Sequence, residues 1–452
     1  MDNRTYKLMN WPLIEEVVYS ECSYPQNVLG MHEVSGGYLI QAFFPGAKSA
    51  FVHCLSNNKL YKMSLADEEG FFAYFSSSKT PFLYDYRVMT DGKEETYPEL
   101  YNNPSVFWTN VSEKFNEGSL YDAYKYFGAH VLEKKGVLGT EFTVFAPNAA
   151  RVSVVGDFNH WDGRVNQMCR LNDEGVYSLF IPGVTVGALY KFEIKLRNGI
   201  CFVKRDPFSF STERGKGDAA IVANPLNFEE FRFKRTAVKK KEKILSVSLR
   251  EFLSSAKGKD LKQDLYLNCI KKKANAVLFK DLGKSVDPET GNEAKVSFYA
   301  LDSEGLSLSK LIDVIKMLHE NGIRVYSEFD IGGFLSDSCG LRGFDGKNLF
   351  EASDYEDGNR LLFNLESPYV REYLYSYLDY FVKVLSLDGY ALTGAEKYLN
   401  DTGIYFLKEL NQIITTRYSR ITAINASLID ADFAGKPVSE GGLGFNKTVD
   451  LR

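Results

Sequence analysis

Apolar and polar residues alternate in short runs through the first half of the chain. Two such runs, residues 37–47 (GYLIQAFFPGA) and 140–149 (TEFTVFAPNA), each open a series of similar segments separated by Gly, Asn and Pro. Alternation with a period of two predicts strands with one buried face, and frequent turns between them are typical of a β-sandwich. Because the two series resemble each other at a spacing of roughly 100 residues, they predict two immunoglobulin-like sandwiches.

The pattern changes after a charged segment at residues 231–243, which is interpreted as a solvated linker. Short apolar runs then alternate with helical periodicity, which predicts βαβ units on a parallel sheet. The predicted strands are 244–249, 276–280, 324–329, 387–394 and 421–424. The predicted helices are 261–272, 308–321 (closed by Gly322), 369–385 and 404–417.

The predicted fold class is therefore multidomain, with two immunoglobulin-like β-sandwiches followed by an α/β region of about five strands, which the family resemblance given below implies to be an incomplete barrel of the TIM type. The expected domains are residues 1–105, 106–232 and 243–452. Five strands do not close an eight-stranded barrel, and open sheet edges invite pairing with other chains. Either residues 446–452 and the sandwiches cover these edges, or the chain forms a homodimer.

Composition narrows the class of protein. A formal net charge of -5 gives no support for nucleic-acid binding. The six cysteines form no CxxC pair, so no structural metal site is predicted, and isolated thiols favour a cytoplasmic protein. The N-terminus has no secretory signal, and no apolar run approaches the roughly 20 residues of a membrane span.

Several motifs carry a resemblance to a known family. In the first series they are LGMH at 29–32 and FPGA at 44–47; in the second, GDFNHWDGR at 156–164, YKF at 190–192 and KRDPF at 204–208. Further along come GLRGFDG at 340–346 and EGGLGF at 440–445. In this order and spacing the chain resembles glycogen (1,4-α-glucan) branching enzymes of the α-amylase superfamily, glycoside hydrolase family 13, with a carbohydrate-binding module of family 48.

The resemblance implies that the residues of the family's active site have been replaced. The family's fourth barrel strand has the pattern Asp-Gly-(aromatic or Leu)-Arg-(Val/Ile)-Asp, in which the second Asp is the catalytic nucleophile. This chain has LDGYALTG at 387–394, with Ala391 at the Arg position and Thr393 at the nucleophile position.

Other positions of the active site follow from neighbouring motifs. The third-strand pattern aligns with EFDIGG at 328–333, so that Gly333 takes the place of the sugar-contacting His. Glu293 takes the place of a Tyr platform, and the general acid position falls on Asn425 or Ala426. The family's last catalytic Asp follows a seventh strand that this chain does not contain. The chain thus resembles a truncated, catalytically degenerate member.

The chemistry explains why these replacements matter. Retaining glycosyl transfer needs two carboxyl groups about 5–5.5 Å apart, one as nucleophile and one as acid and base. Thr393 would need an adjacent base, yet of the five His only His319 follows residue 243. No catalytic residue and no cofactor is predicted, and Asp330 is the best remaining carboxylate for residual chemistry.

The second sandwich retains candidate glucan-binding residues, which are Trp161, Asn159 and Lys191. An indole ring can stack on a pyranose while polar neighbours orient it. Trp161 is equally well interpreted as a structural wedge, and Lys191 as a strand residue that points to solvent.

The leading hypothesis is an α-glucan-binding or scaffolding protein of glycogen metabolism, a pseudoenzyme whose partner is glycogen or a starch-like glucan. One alternative is an active branching enzyme that transfers α-1,4 chains to α-1,6 positions. Another is an interaction protein that pairs with the active branching enzyme and binds no glucan.

Overall fold

The architecture is given by a computed structural model of the protein. It describes residues 1–103, 105–213, 218–223, 241–248, 251–252, 260–280, 282, 285–286, 293–294, 297–300, 308–357 and 360–450. Residues 231–240 of the predicted linker lie outside these described ranges.

The first sandwich contains eight strands in two antiparallel sheets. The strands are β1 (Gly30–Val34), β2 (Gly37–Phe43), β3 (Ser49–Cys54), β4 (Lys59–Lys62), β5 (Ser64–Asp67), β6 (Phe71–Ser76), β7 (Tyr84–Thr90) and β8 (Lys93–Pro98). They pair in the orders β1-β2-β6-β5 and β4-β3-β7-β8. The two faces of β2 lie in different hydrophobic cores. Ile40 and Ala42 pack towards the other sheet. Leu39 and Phe43 pack against the N-terminal helices, where they join Ile14 and Val17. These helices are α1 (Asn3–Leu8) and α2 (Trp11–Val18).

The second sandwich follows helix α3 (Val106–Asn116). Its strands are β9 (Gly128–Lys134), β10 (Val137–Phe145), β11 (Arg151–Gly156), β12 (Cys169–Arg170), β13 (Val176–Pro182), β14 (Leu189–Lys195), β15 (Cys201–Lys204) and β16 (Ala220–Ile221). One sheet has the order β12-β13-β10-β9; in the other, β14 pairs with β11, β15 and β16. The sequence prediction of successive antiparallel β-layers is confirmed for both regions.

A six-stranded parallel sheet forms the last part of the chain. Its strands, in spatial as well as chain order, are β17 (Ile244–Ser248), β18 (Ala276–Lys280), β21 (Arg324–Asp330), β25 (Gly389–Thr393), β26 (Thr422–Asn425) and β27 (Lys447–Thr448). Two smaller antiparallel sheets are inserted between them. They contain β19 (Ser285–Val286) with β20 (Glu293–Ala294), and β22 (Phe334–Leu335), β24 (Arg360–Phe363) and β23 (Glu351–Asp357).

The crossover helices match the predicted βαβ alternation. They are α4 (Leu261–Lys272), α5 (Leu308–Glu320), α6 (Pro368–Val384), α7 (Asp401–Arg417) and the short α8 (Ala431–Gly435). Local signals set their ends: Pro368 occupies the first turn of α6, and the Asn400 side chain accepts a hydrogen bond of 2.8 Å from Gly403 N at the start of α7. Among the described residues, no helix combines the length and apolarity needed to cross a membrane.

The sixth strand, β27, was not among the five predicted strands. It lies within the tail at 446–452 and pairs in parallel with β26, so the tail does extend the sheet at that edge. The prediction of about five strands is corrected to six in the described part of the chain; β27 was missed because two residues are too few to show a strand pattern. With six strands, the curled sheet corresponds to part of a TIM-type barrel.

Helix α6 joins the second sandwich to the parallel sheet. Its buried side chains include Tyr369, Tyr373 and Tyr377, and Phe208 of the sandwich packs edge-on against Tyr373 at 5.1 Å between ring centroids. Tyr373 Oη also donates a hydrogen bond of 3.0 Å to Pro207 O. One continuous hydrophobic core therefore runs from the second sandwich into the barrel. Many aromatic ring contacts lie at this junction, among them those of Phe208 with Phe127, Tyr299 and Tyr373.

Candidate functional site

The carboxyl ends of strands β21, β25 and β26 meet at one edge of the parallel sheet. Asp330 is the register partner of Thr393, and Leu392 is the register partner of Asn425. In barrels of this type, side chains at the carboxyl ends of strands form the active site. The structure thus brings Thr393, Asn425 and the end of the third predicted strand together, as the sequence positions implied.

Thr393 is hydrogen-bonded to a carboxylate on the neighbouring strand. Its Oγ1 donates to Glu328 Oε1 at 3.0 Å, and both residues are half-buried. A carboxylate can orient this hydroxyl, but it is far too weak a base to convert it to an alkoxide at neutral pH. The pair is therefore not equivalent to two carboxyl groups that face an anomeric carbon.

Asp330, the best remaining carboxylate, is held by two donors. Its Oδ2 accepts a hydrogen bond of 2.8 Å from Arg360 Nη2, and its Oδ1 accepts one of 2.9 Å from Gly332 N. Arg360 also donates to Gly333 O at 3.0 Å. The guanidinium stabilises the carboxylate charge and lowers its nucleophilicity, so these contacts support a structural role for Asp330. Arg360 was not found from the sequence, because no pattern places this first residue of β24 near the third predicted strand.

Gly333 has no room for the side chain that the resemblance would place there. Its φ is +123°, and an ideal Cβ would lie 2.6 Å from Leu361 O. A histidine on this backbone would clash with strand β24 unless the backbone moved.

Ala391 faces the inner surface of the curled sheet. It is fully buried and packs in a small apolar cluster with Ala276, Leu278, Tyr326 and Ile424. An arginine at this position would need a partner for its charge within that cluster, and burying an unpaired charge is costly.

Asn425 uses its amide to hold the loop that follows it. Its Nδ2 donates to Ile429 O at 3.2 Å, and its Oδ1 accepts from Ser427 N at 3.1 Å. The side chain is fully buried, so these contacts satisfy it without a ligand. The backbone of Glu293 lies in β20, paired with Val286, and its side chain is outside the described part of the chain.

Asp388 lies at the opposite end of β25. Its Oδ2 accepts hydrogen bonds of 2.9 Å from Val325 N and 2.9 Å from His319 Nε2. This carboxylate thus connects strand β21, helix α5 and strand β25, which explains a structural rather than a catalytic role.

The three candidate glucan-binding residues of the second sandwich differ in accessibility. Trp161 is 41% exposed at a loop tip, where both His160 and Trp161 adopt positive φ angles of 54° and 61°. Non-glycine residues rarely adopt such angles, and backbone strain of this kind clusters at binding sites. The accessible ring of Trp161 is the feature of this sandwich that best suits a sugar.

Asn159 and Lys191 have protein partners. Asn159 is buried; its Oδ1 accepts from Gly156 N at 2.9 Å and its Nδ2 donates to Val154 O at 2.8 Å. Lys191 forms an ion pair with Asp218. Burial opposes ionisation of Asp218, but the hydrogen bonds with Lys191 and Cys339 and the charges of Lys191 and Arg205 together outweigh it, so the pKa of Asp218 is lowered. The geometry thus favours a supporting role for both residues.

Comparison with known proteins identifies two segments of the chain. Residues 10–101 match "alpha-1,4-glucan branching enzyme GlgB, N-terminal domain", and residues 126–209 match "Carbohydrate-binding module 48 (Isoamylase N-terminal domain)". The 1,4-alpha-glucan branching enzyme GlgB of Saccharophagus degradans is 30% identical over 96% of this chain and 65% of that protein. The enzyme of the same name from Picrophilus torridus is 29% identical over 95% of this chain and 64% of that protein.

The chain is homologous to branching enzymes named GlgB and carries their N-terminal domain and a carbohydrate-binding module 48. It spans slightly less than two thirds of the length of these relatives, at 64% and 65%. This homology confirms the resemblance found in the motifs, and the alignment with these relatives extends across both sandwiches and the parallel sheet.

Solved structures support the fold. A putative alpha amylase from Salmonella typhimurium superposes with a TM-score of 0.54 at 16% identity, covering 71% of this chain and 53% of that chain. Pullulanase from Anoxybacillus sp. LM18-11 superposes with a TM-score of 0.52 at 14% identity, covering 88% and 62%. At such identities the likeness shows only the shared arrangement of β-layers and a curled parallel sheet.

Proposed function

We propose that this branching-enzyme relative is a pseudoenzyme that binds or scaffolds α-glucan in glycogen metabolism. The observation that carries the proposal is the bonding at the carboxyl ends of β21, β25 and β26. Thr393 stands at the position of the nucleophile, Asn425 uses its amide on its own loop, and Arg360 neutralises Asp330. Without two opposed carboxyl groups, covalent glycosyl transfer lacks both nucleophile and acid.

Glucan is the proposed ligand because the carbohydrate-binding module is the part whose surface best suits a sugar. The exposed Trp161 at a strained loop tip supports this choice, while Asn159 and Lys191 would position the loop and the strand beside it. We further propose the division of the chain at residues 1–105, 106–232 and 243–452, and a cytoplasmic location in keeping with six free thiols.

Incubation with amylose tests the loss of catalysis. Iodine absorbance should stay constant, because branching or hydrolysis shortens the linear chains that bind iodine. Activity that survives Thr393→Ala but disappears in Asp330→Asn would overturn the proposal and favour an active branching enzyme with a relocated carboxylate.

Co-sedimentation with glycogen tests glucan binding. The wild-type protein should enter the pellet, and Trp161→Ala should shift most of it to the supernatant. Lys262→Ala, a surface change on helix α4, is the matched control and should sediment as the wild type does. A wild-type protein that stays in the supernatant would favour the interaction protein that binds no glucan.

A further inference from the structure

A cleft between the two sandwiches is lined by residues of both and by none of the parallel sheet; Asn159, His160 and Asp162 line it, but Trp161 does not. Its volume is about 980 Å³. On one side it is lined by residues 41–45 and by strands β7 and β8; on the other, by residues from 158–166 and 181–188. This volume falls at the upper end of the range of about 300–1,000 Å³ for ligand sites.

The walls of the cleft carry partly accessible aromatic rings. Phe44, Tyr97 and Phe158 line it and are half-buried, and the rings of Phe44 and Tyr97 contact each other at 5.2 Å between centroids. The first two belong to one sandwich and the third to the other. Such rings offer apolar surfaces to the C–H faces of a sugar, while the hydroxyls of Thr90, Thr96 and Thr185 line the same space.

Gln41 contributes a buried side-chain amide to the cleft. It lines the cleft and is only 5% exposed. Its Nε2 donates to Val28 O at 2.8 Å, whereas its Oε1 has no hydrogen-bond partner among the described residues. Leaving a buried carbonyl oxygen unpaired costs about 1–3 kcal/mol, so this atom favours a ligand with a hydroxyl donor.

The charges of the cleft indicate a neutral ligand. The acidic, basic and imidazole side chains that line it are those of Asp91, Lys93, Glu95, His160 and Asp162. Acidic groups predominate, which disfavours phosphorylated sugars and other anions. A ligand with many hydroxyl groups, apolar faces and no charge fits both the acidic rim and the aromatic walls.

We propose that the cleft between the sandwiches is a second carbohydrate site, which binds a short neutral segment of α-1,4-linked glucan and in which Gln41 Oε1 accepts a hydrogen bond from a sugar hydroxyl. The choice of α-glucan rests on the proposed function of the chain. Because both sandwiches form its walls, the bound segment would also stabilise their relative position.

Calorimetric titration of the full chain with maltoheptaose tests this site. Gln41→Met keeps the approximate length of the side chain and removes the acceptor, so it should weaken binding about fivefold. Tyr97→Ala removes a ring from β8, an edge strand, and should weaken binding by a similar factor. Tyr61→Ala removes a half-buried ring of the same sandwich outside the cleft and should leave the affinity unchanged.

Trp161→Ala separates this site from the one proposed above. Weaker binding in either cleft variant, with the fold intact by circular dichroism and an unchanged Tyr61→Ala control, supports the cleft site. Binding that responds only to Trp161→Ala overturns the cleft site and leaves the proposed glucan-binding function in place. A wild-type protein that releases no heat with maltoheptaose and does not sediment with glycogen overturns both.

Discussion

At two positions, one in the parallel sheet and one between β21 and β22, glycine is required by the atoms around it. An ideal Cβ on Gly389 would lie 2.3 Å from Thr422 O and 2.7 Å from the ring of Tyr326, so the strand can approach its neighbours only without a side chain. At Gly333 the φ of +123° adds backbone strain to a similar clash with Leu361 O. The sheet and its inserted strands have thus closed over the position where a sugar-contacting side chain would stand.

Gly333→Ala should therefore destabilise the protein by about 1–3 kcal/mol, through the clash and the unfavourable φ together. Urea unfolding followed by circular dichroism measures the change. Gly136→Ala is the matched control, since its φ of +81° carries similar strain while its Cβ would meet nothing within 4 Å. Equal losses in the two variants would contradict a steric contribution at Gly333.

Among the elements, the two edge strands of the parallel sheet are connected across its inner surface. Glu242, just before β17, forms ion pairs with Lys447 of β27 and with the fully buried Arg324 of β21, at 2.8 Å for the latter. Its Oε2 also accepts a hydrogen bond of 2.6 Å from Tyr326 Oη. These contacts hold the sheet in its curled form where no further strand of the described chain pairs with β17 or β27.

Glu242→Gln should lower the free energy of unfolding by about 3–5 kcal/mol, because it removes the nearer of the two carboxylates beside the buried Arg324 and leaves only Asp388, at 4.0 Å. Chemical denaturation measures the loss. Asp313→Asn breaks the exposed pair with Lys262 and should cost about 0–1 kcal/mol. If the two losses were alike, the network around Glu242 would not be what holds the edges together.

The regular elements could be predicted from the sequence better than the contacts between them. The helix at Leu261–Lys272 and the strand at Ala276–Lys280 have the predicted bounds, because periodicity and capping residues are local. Strand β27 and the Arg360–Asp330 pair were missed, because both depend on residues brought together only by the folded sheet. The substituted positions Thr393 and Asn425 could be found from their motifs, but their hydrogen bonds could not.

At the scale of the whole molecule, buried carboxyl groups lie along the junction of the second sandwich and the barrel. Glu372 of α6 accepts a hydrogen bond of 2.5 Å from Leu120 N, and Asp206 accepts one of 2.5 Å from Tyr190 Oη. Burial raises the pKa of Glu372 to about 8 and that of Asp206 to about 7. The native state thus retains protons that the unfolded chain releases near pH 4–5.

A raised pKa means that the stabilisation from Glu372 is complete below about pH 4.5 and is lost as the pH rises through about 8. Thermal unfolding between pH 5 and 8 should show a midpoint temperature that falls as the pH rises. The free energy of unfolding should fall by about 1.4 kcal/mol per pH unit for each such group. Glu372→Gln keeps an acceptor for Leu120 N and cannot ionise, so it should reduce this slope, while Asp206 maintains part of it below pH 7. Glu366→Gln, at an exposed residue two positions before helix α6, is the control, and its curve should coincide with that of the wild type. A Glu372→Gln curve parallel to both would show that this carboxyl group is already ionised in the native protein.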